Sequence, residues 1–109
     1  MSETKFRAAM VAMTPDADPM KHRSVIETPM YSLTTVLVRN EDEAVVMCRR
    51  LVDADGIQSF LLCPGFTNQG VARVAEAVGS NISVNVARGD GPSNAIAHRI
   101  MNEVGFFRH

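Results

Sequence analysis

The 109-residue chain predicts one α/β domain, a three-layer sandwich with helices on both faces of a four-stranded, mainly parallel sheet. Three observations predict it. Short β-branched runs alternate with stretches of helical period. The runs at 5–13, 31–39, 57–62 and 82–87 are almost continuously apolar, as strands covered on both faces must be. And 57–79 reads as a complete βα unit: an apolar run, a Pro64-Gly65 turn, then a 3.6-period pattern ending at Gly79.

The elements follow in order. Residues 5–13 (Lys-Phe-Arg-Ala-Ala-Met-Val-Ala-Met) form a strand closed by Thr14-Pro15. Asp18-Pro19 has the chemistry of a helix start, an acceptor at N-cap and Pro at N1. The expected helix spans 19–28, buries Val25 and Ile26, and stops before Pro29. Residues 31–39 are the clearest strand. Asn40 with Glu43 makes a capping-box-like pair. The helix behind it turns Ala44, Met47, Cys48, Leu51 and Val52 inward and ends at Gly56. After the strand at 57–62, the next helix buries Val71, Val74, Ala75 and Val78. The strand at 82–87 leads through Gly91-Pro92-Ser93 into a last helix with Ile96, Ile100, Met101 and Val104 on its apolar side. Alternation of this kind implies parallel strands with right-handed crossovers, in a flavodoxin-like or half-Rossmann-like arrangement. Had 19–28 not been helical, the first two strands would be free to run antiparallel.

Composition narrows the function classes. Hydrophobic residues make up 46% and charged residues 21%, which is the balance of a soluble folded domain. A net charge of −1 implies no basic face, so nucleic acid is not expected as a partner. No run approaches the roughly 18 apolar residues of a membrane span. Met1-Ser-Glu-Thr-Lys-Phe-Arg7 has no apolar core of a leader peptide. Two cysteines without metal-type spacing are expected as reduced thiols, hence a cytoplasmic protein. Aromatics are 6% with no Trp, which disfavours a stacking platform for bases or sugars.

In a parallel sheet the carboxyl ends of the strands share one rim, and ligands bind there. The first polar residues after each strand are then the candidates: Thr14, Asp16 and Asp18; Arg39 and Asn40; Cys63, Thr67, Asn68 and Gln69; Arg88 and Asp90. Thr67 is the expected N-cap of its helix, leaving the amides of Asn68, Gln69 and Gly70 to attract a phosphate or carboxylate. Arg88 would add a bidentate contact to the anion. Gly65 and Gly70 have P-loop spacing, but Val71-Ala72 stand where Lys and Ser/Thr are required, so the turn is not a P-loop. Nor is there a Gly-x-Gly-x-x-Gly fingerprint. The competing reading of the turn is a well-capped connection with no ligand.

For chemistry, His22 is the expected acid/base, with Asp16 or Asp18 orienting it. The same three side chains could take a divalent metal, although no metal is expected here. Alternatively Asp18 merely caps and Arg23 and Glu27 pair on the surface. Cys63 could be a thiolate activated by a helix N-terminus, or a small buried residue; Cys48 reads as core. His98 falls on the polar side of the last helix and His109 is terminal. Phe106-Phe107 either pack on their own core or dock on a second subunit. The expectation is a binder of a small anionic molecule, cofactor unknown, enzymatic status open. The alternative is a homo-oligomeric assembly module working through its C-terminal helix and tail.

The stretch Pro15-Asp-Ala-Asp-Pro-Met-Lys-His-Arg-Ser-Val-Ile-Glu-Thr-Pro29 resembles the opening signature of a small uncharacterised bacterial family, Pro-Asp-Ala-Asp-Pro-x-x-His-Arg-x-x-Ile-Glu-Thr-Pro. That family also carries Cys-x-Gly-Phe-x-x-x-Gly-Val-Ala, matched by Cys63, Gly65, Phe66, Gly70, Val71 and Ala72. The resemblance covers about residues 6–88. It implies no activity, but it directs attention to Asp16, Asp18, His22, Arg23 and Glu27.

Overall fold

Two apolar eight-residue strands, β1 (Phe6–Met13) and β3 (Tyr31–Val38), pair in parallel along their whole length, Phe6 opposite Tyr31 and Met13 opposite Val38. They form the centre of a computed structural model that describes residues 4–108. The readings made on the first three residues and on His109 lie outside that range. The other elements are β2 (Arg23–Glu27), α1 (Glu41–Asp55), β4 (Ser59–Leu62), α2 (Asn68–Val78), β5 (Ser83–Val86), α3 (Gly91–Val104) and a short 3-10 turn at Phe106–Arg108. The sheet has five strands in the order β2-β3-β1-β4-β5, all parallel except β2.

The expected helix at 19–28 is a strand. Asp18 does start a helical turn: its carbonyl accepts from the Lys21 and His22 N–H groups at 2.9 and 2.8 Å, and its Oδ1 accepts from Met20 N–H at 3.0 Å. The turn goes no further. Val25 and Ile26 are adjacent and β-branched, so a helix would gain no apolar stripe and would restrict both side chains. They are exposed at 52% and 65% instead of buried. The Thr28 hydroxyl accepts from the Met30 and Tyr31 N–H groups and folds a tight turn around Pro29. That turn pairs β2 antiparallel to β3, with Ser24 opposite Thr35 and Ile26 opposite Leu33. The sheet therefore gains a fifth strand.

The change also removes a layer. The right-handed crossovers β3-α1-β4 and β4-α2-β5 advance across the sheet in one direction, so both helices lie on one face. Only the β1-to-β3 connection runs the other way, and it is made in the plane of the sheet by β2. The core is accordingly one-sided. Val11, Val36, Val38, Phe60 and Leu62 meet Ala44, Met47, Cys48 and Leu51 of α1 and Val74 and Val78 of α2. On the opposite face Phe6, Met10, Tyr31, Leu37 and Leu61 are all more than a third exposed. The expected three-layer sandwich is thus two layers among the described residues.

The helices α1 and α2 begin and end as their caps dictate. Asn40 Oδ1 accepts from Glu43 N–H at 2.9 Å, and Gly56 closes α1 in the left-handed region at φ 68°. Thr67 Oγ1 accepts from Gly70 N–H at 3.0 Å at the start of α2. By contrast α3 buries no residue, and Asp90 makes no side-chain cap. The helix stands away from the sheet: the molecule measures 50 × 27 × 27 Å, with a radius of gyration of 14.6 Å. A domain of this length usually has one of about 13 Å.

Candidate functional site

Four parallel strands end on one rim, and Thr14, Arg39, Cys63 and Ala87 follow them directly. α1 and α2 start from that rim side by side, so what stands at the head of one helix can reach the other. It does. The Glu41 carboxylate, at the first position of α1, accepts from the Thr67 backbone N–H at 2.7 Å and from the Thr67 hydroxyl at 3.0 Å. It also lies over Gly70, where a Cβ would run into it. The positive end of α2 is therefore occupied by the chain's own anion. Thr67 and Gly70 serve this contact, Gln69 is exposed, and Asn68 Oδ1 accepts from Arg88 at 3.0 Å.

Arg88 is also spoken for. Its guanidinium donates to the Pro64 and Phe66 carbonyls at 3.1 and 2.8 Å, which pins the 63–68 turn. His22 sits at the opposite edge of the sheet, where its carbonyl accepts from Leu37 N–H at 3.0 Å. Four strand spacings, about 19 Å, separate that edge from the one carrying Arg88. His22 Nδ1 accepts from Asp18 N–H at 2.8 Å, so the neutral ring carries its proton on Nε2. The imidazole lines a shallow hollow of about 500 Å³ with Met10, Ala12, Thr35 and Leu37 on the exposed sheet face. Asp18 directs its carboxylate to Met20, and Asp16 accepts from the Thr14 hydroxyl at 2.7 Å. Among the described residues no three of His, Cys, Asp and Glu gather as a metal site.

A larger crevice, about 1030 Å³, opens between the rim and α3. From the rim it is lined by Met13, Thr14, Arg39, Asn40, Cys63 and Thr67. The far wall is Asn94, Ala97, His98 and Met101 of α3 with Phe106 and Phe107. Arg73 of α2 also reaches it. Its chemistry is an apolar wall with two guanidinium groups and the Glu41 and Asp42 carboxylates at the side. Arg39 bonds Glu43 at 2.9 Å, which raises the arginine pKa and holds the Glu43 carboxyl below its ordinary range; the Arg39 backbone N–H adds to the latter. Arg73 bonds Asp42 at 2.7 Å. The His98 ring stacks on Phe107, centroids 4.7 Å apart and planes 23° off parallel. Cys63 is half-buried at the crevice floor, whereas burial in the core pushes the Cys48 thiol up to about 12.

Of the residues expected from the sequence, the crevice unites Thr14, Arg39, Asn40, Cys63 and Thr67. His22, Asp16, Asp18 and Arg88 lie elsewhere. Sequence reasoning missed Glu41, Arg73 and His98. Two right-handed crossovers in succession place the α1 and α2 N-termini together, and that was the available signal for Glu41. His98 had none, because strand topology does not fix where α3 goes.

No curated protein and no solved structure matches the chain. A family model matches residues 6–102, nearly the whole domain and beyond the two motifs noted in the sequence. The chain belongs to that family, the family of unknown function DUF6506.

Proposed function

We propose that the chain binds a small molecule with an apolar body and an anionic end in the crevice between the sheet rim and α3. The observation that carries this reading is the crevice itself. It lies at the carboxyl ends of parallel strands, where α/β sheets hold ligands, and its size suits a metabolite. The body of the ligand would rest on Met13, Met101, Phe106 and Phe107. Its anionic end would be met by Arg73, whose partner Asp42 is 83% exposed and free to give way, and by the guanidinium N–H groups that Arg39 does not donate to Glu43. Glu41 argues against the α2 N-terminus as the anion contact, since a second anion there would face a resident one. If there is chemistry, Cys63 is the nucleophile within the crevice. Two free cysteines fit a reducing, cytoplasmic setting, and no helix among the described residues is long and apolar enough to cross a membrane.

A thermal-shift screen of carboxylated and phosphorylated metabolites tests it. A ligand at a hundred times its Kd adds about 2.7 kcal/mol, which raises Tm by more than about 10 °C in a domain of this size. Arg39→Ala combined with Arg73→Ala should abolish the shift while leaving the apo Tm within a few degrees. No shift from any compound would count against a ligand site.

One observation favours a second reading, a homo-oligomeric assembly module acting through α3 and the tail. Helix α3 buries nothing, and Ile96, Ile100 and Val104 are exposed at 52%, 48% and 64%.

A further inference from the structure

The molecule carries an uncovered sheet face and an uncovered helix stripe, and we propose that they meet between two copies of the chain. The inference rests on the assembly reading above and adds where the helix goes. The outward stripe of α3, Ile96, Ile100 and Val104, would lie on the open face of a partner's sheet, supplying the layer that β2 fails to supply. The partner's α3 would do the same in return, as an isologous two-fold pair requires.

Both halves need a cover. The open face presents Phe6, Met10, Tyr31, Leu37 and Leu61, and Ile26 on the edge strand. Strand spacing and rise give it a projected area of roughly 450 Å², at the size where an exposed apolar patch marks an interaction site. The partner's 14-residue helix, of ordinary diameter, covers roughly 200 Å² of that face, and each copy's own helix loses as much, roughly 400 Å² of projected area per copy. Side-chain relief raises the accessible area buried toward the ~800 Å² per partner of a standard stable interface. The face also has relief to receive side chains, in the 500 Å³ hollow edged by Met10, Ala12 and Leu37, with Lys21, His22 and Arg23 along its outer side.

The chain does not satisfy itself. Helix α3 already turns Ala97, His98 and Met101 toward its own rim crevice, and Ile96, Ile100 and Val104, which flank that side, are left outside it and exposed. A helix folding straight back from β5 would first cover Ser59, Ser83 and Asn85, the polar part of the open face. Apart from Leu61 on β4, the apolar part lies over β1, β3 and β2, two to four strands further on. A second copy has no such constraint.

The test uses the full-length protein, Met10→Asp and Ile100→Asp in sedimentation equilibrium at tens of micromolar. The wild type should sediment at twice 11.9 kDa and each variant at the single mass. An equimolar mixture of the variants should recover dimer, because one intact helix still meets one intact face; misfolded variants could not do this. A monomeric wild type overturns both this inference and the assembly reading. A dimer lost with Ile100→Asp but kept with Met10→Asp overturns the inference alone and leaves assembly through α3. A dimer kept with Ile100→Asp overturns both. Loss in each variant without recovery on mixing overturns the pairing of helix with face.

Discussion

The two faces of the sheet come from alternate residues of the same strands and differ in how they are covered. In β4, Phe60 is 1% exposed and Leu61, its neighbour, 40%. One side chain is enclosed by α1 and α2; the other looks outward. The difference was made elsewhere, in the 17 residues between β1 and β3. A helix there would have covered the second face. A strand there widens the sheet and leaves it bare. Coverage of a sheet is thus decided by the connection between strands as much as by the strands themselves.

The largest expected effect breaks that comparison at its centre. Phe60→Ala should cost about 3–5 kcal/mol in urea unfolding, by transfer and cavity terms. Leu61→Ala should cost about 1 kcal/mol or less in dilute solution. If a second copy covers the open face, the Leu61→Ala loss should grow with protein concentration while the Phe60→Ala loss stays fixed. Equal losses in dilute solution would show that the second face is not bare.

A middle-sized effect concerns the covered side's rim. Glu41→Gln should cost about 1–2 kcal/mol, the worth of charge-assisted bonds at a part-exposed site. It should also expose the α2 N-terminus to solvent anions. Sulfate or phosphate at millimolar concentration should then raise Tm of the variant more than that of the wild type, in a thermal melt. An equal response would mean that Glu41 holds no anion-attracting position.

The smallest effect is electrostatic. Arg39 holds the folded Glu43 carboxyl below its unfolded pKa, so the pair stabilises the protein at neutral pH and loses that stabilisation as pH falls through the folded value. Glu43→Gln should therefore cost about 0.5 kcal/mol at pH 7, an ordinary i,i+4 pair, with the gap to wild type closing below about pH 4. Urea titrations at the two pH values would show it. A gap that widens in acid has the wrong sign.

Sequence legibility followed the range of the interactions. Helix α1 was readable because its signals are local: Asn40 and Glu43 at the start, a stripe at Ala44, Met47, Cys48 and Leu51, and Gly56 at the end. Even so, Glu43 bonds the Arg39 N–H and not that of Asn40, one residue off the expected reciprocal cap. Strand β2 misled because Asp18-Pro19 gives a true helix start for a single turn. The telling signal was downstream, in the Thr28-Pro29 turn and the adjacent β-branched pair. Cys63 and Arg39 reached the crevice because strand ends share a rim in any parallel sheet. The far wall was illegible, since nothing in Ala87–Asp90 says which way a helix leaves the last strand.

The turn at Thr28–Tyr31 bears on how the chain finds its shape. Every other strand pairing must close a loop that includes a whole helix or a whole strand, and each such closure has an entropic cost before any contact rewards it. β2 and β3 need only fold about one proline, an event on the microsecond scale. The hairpin is therefore the cheapest pairing available to the nascent chain. It also exposes the inner edge of β3 as a template on which β1, synthesised earlier, can align in register.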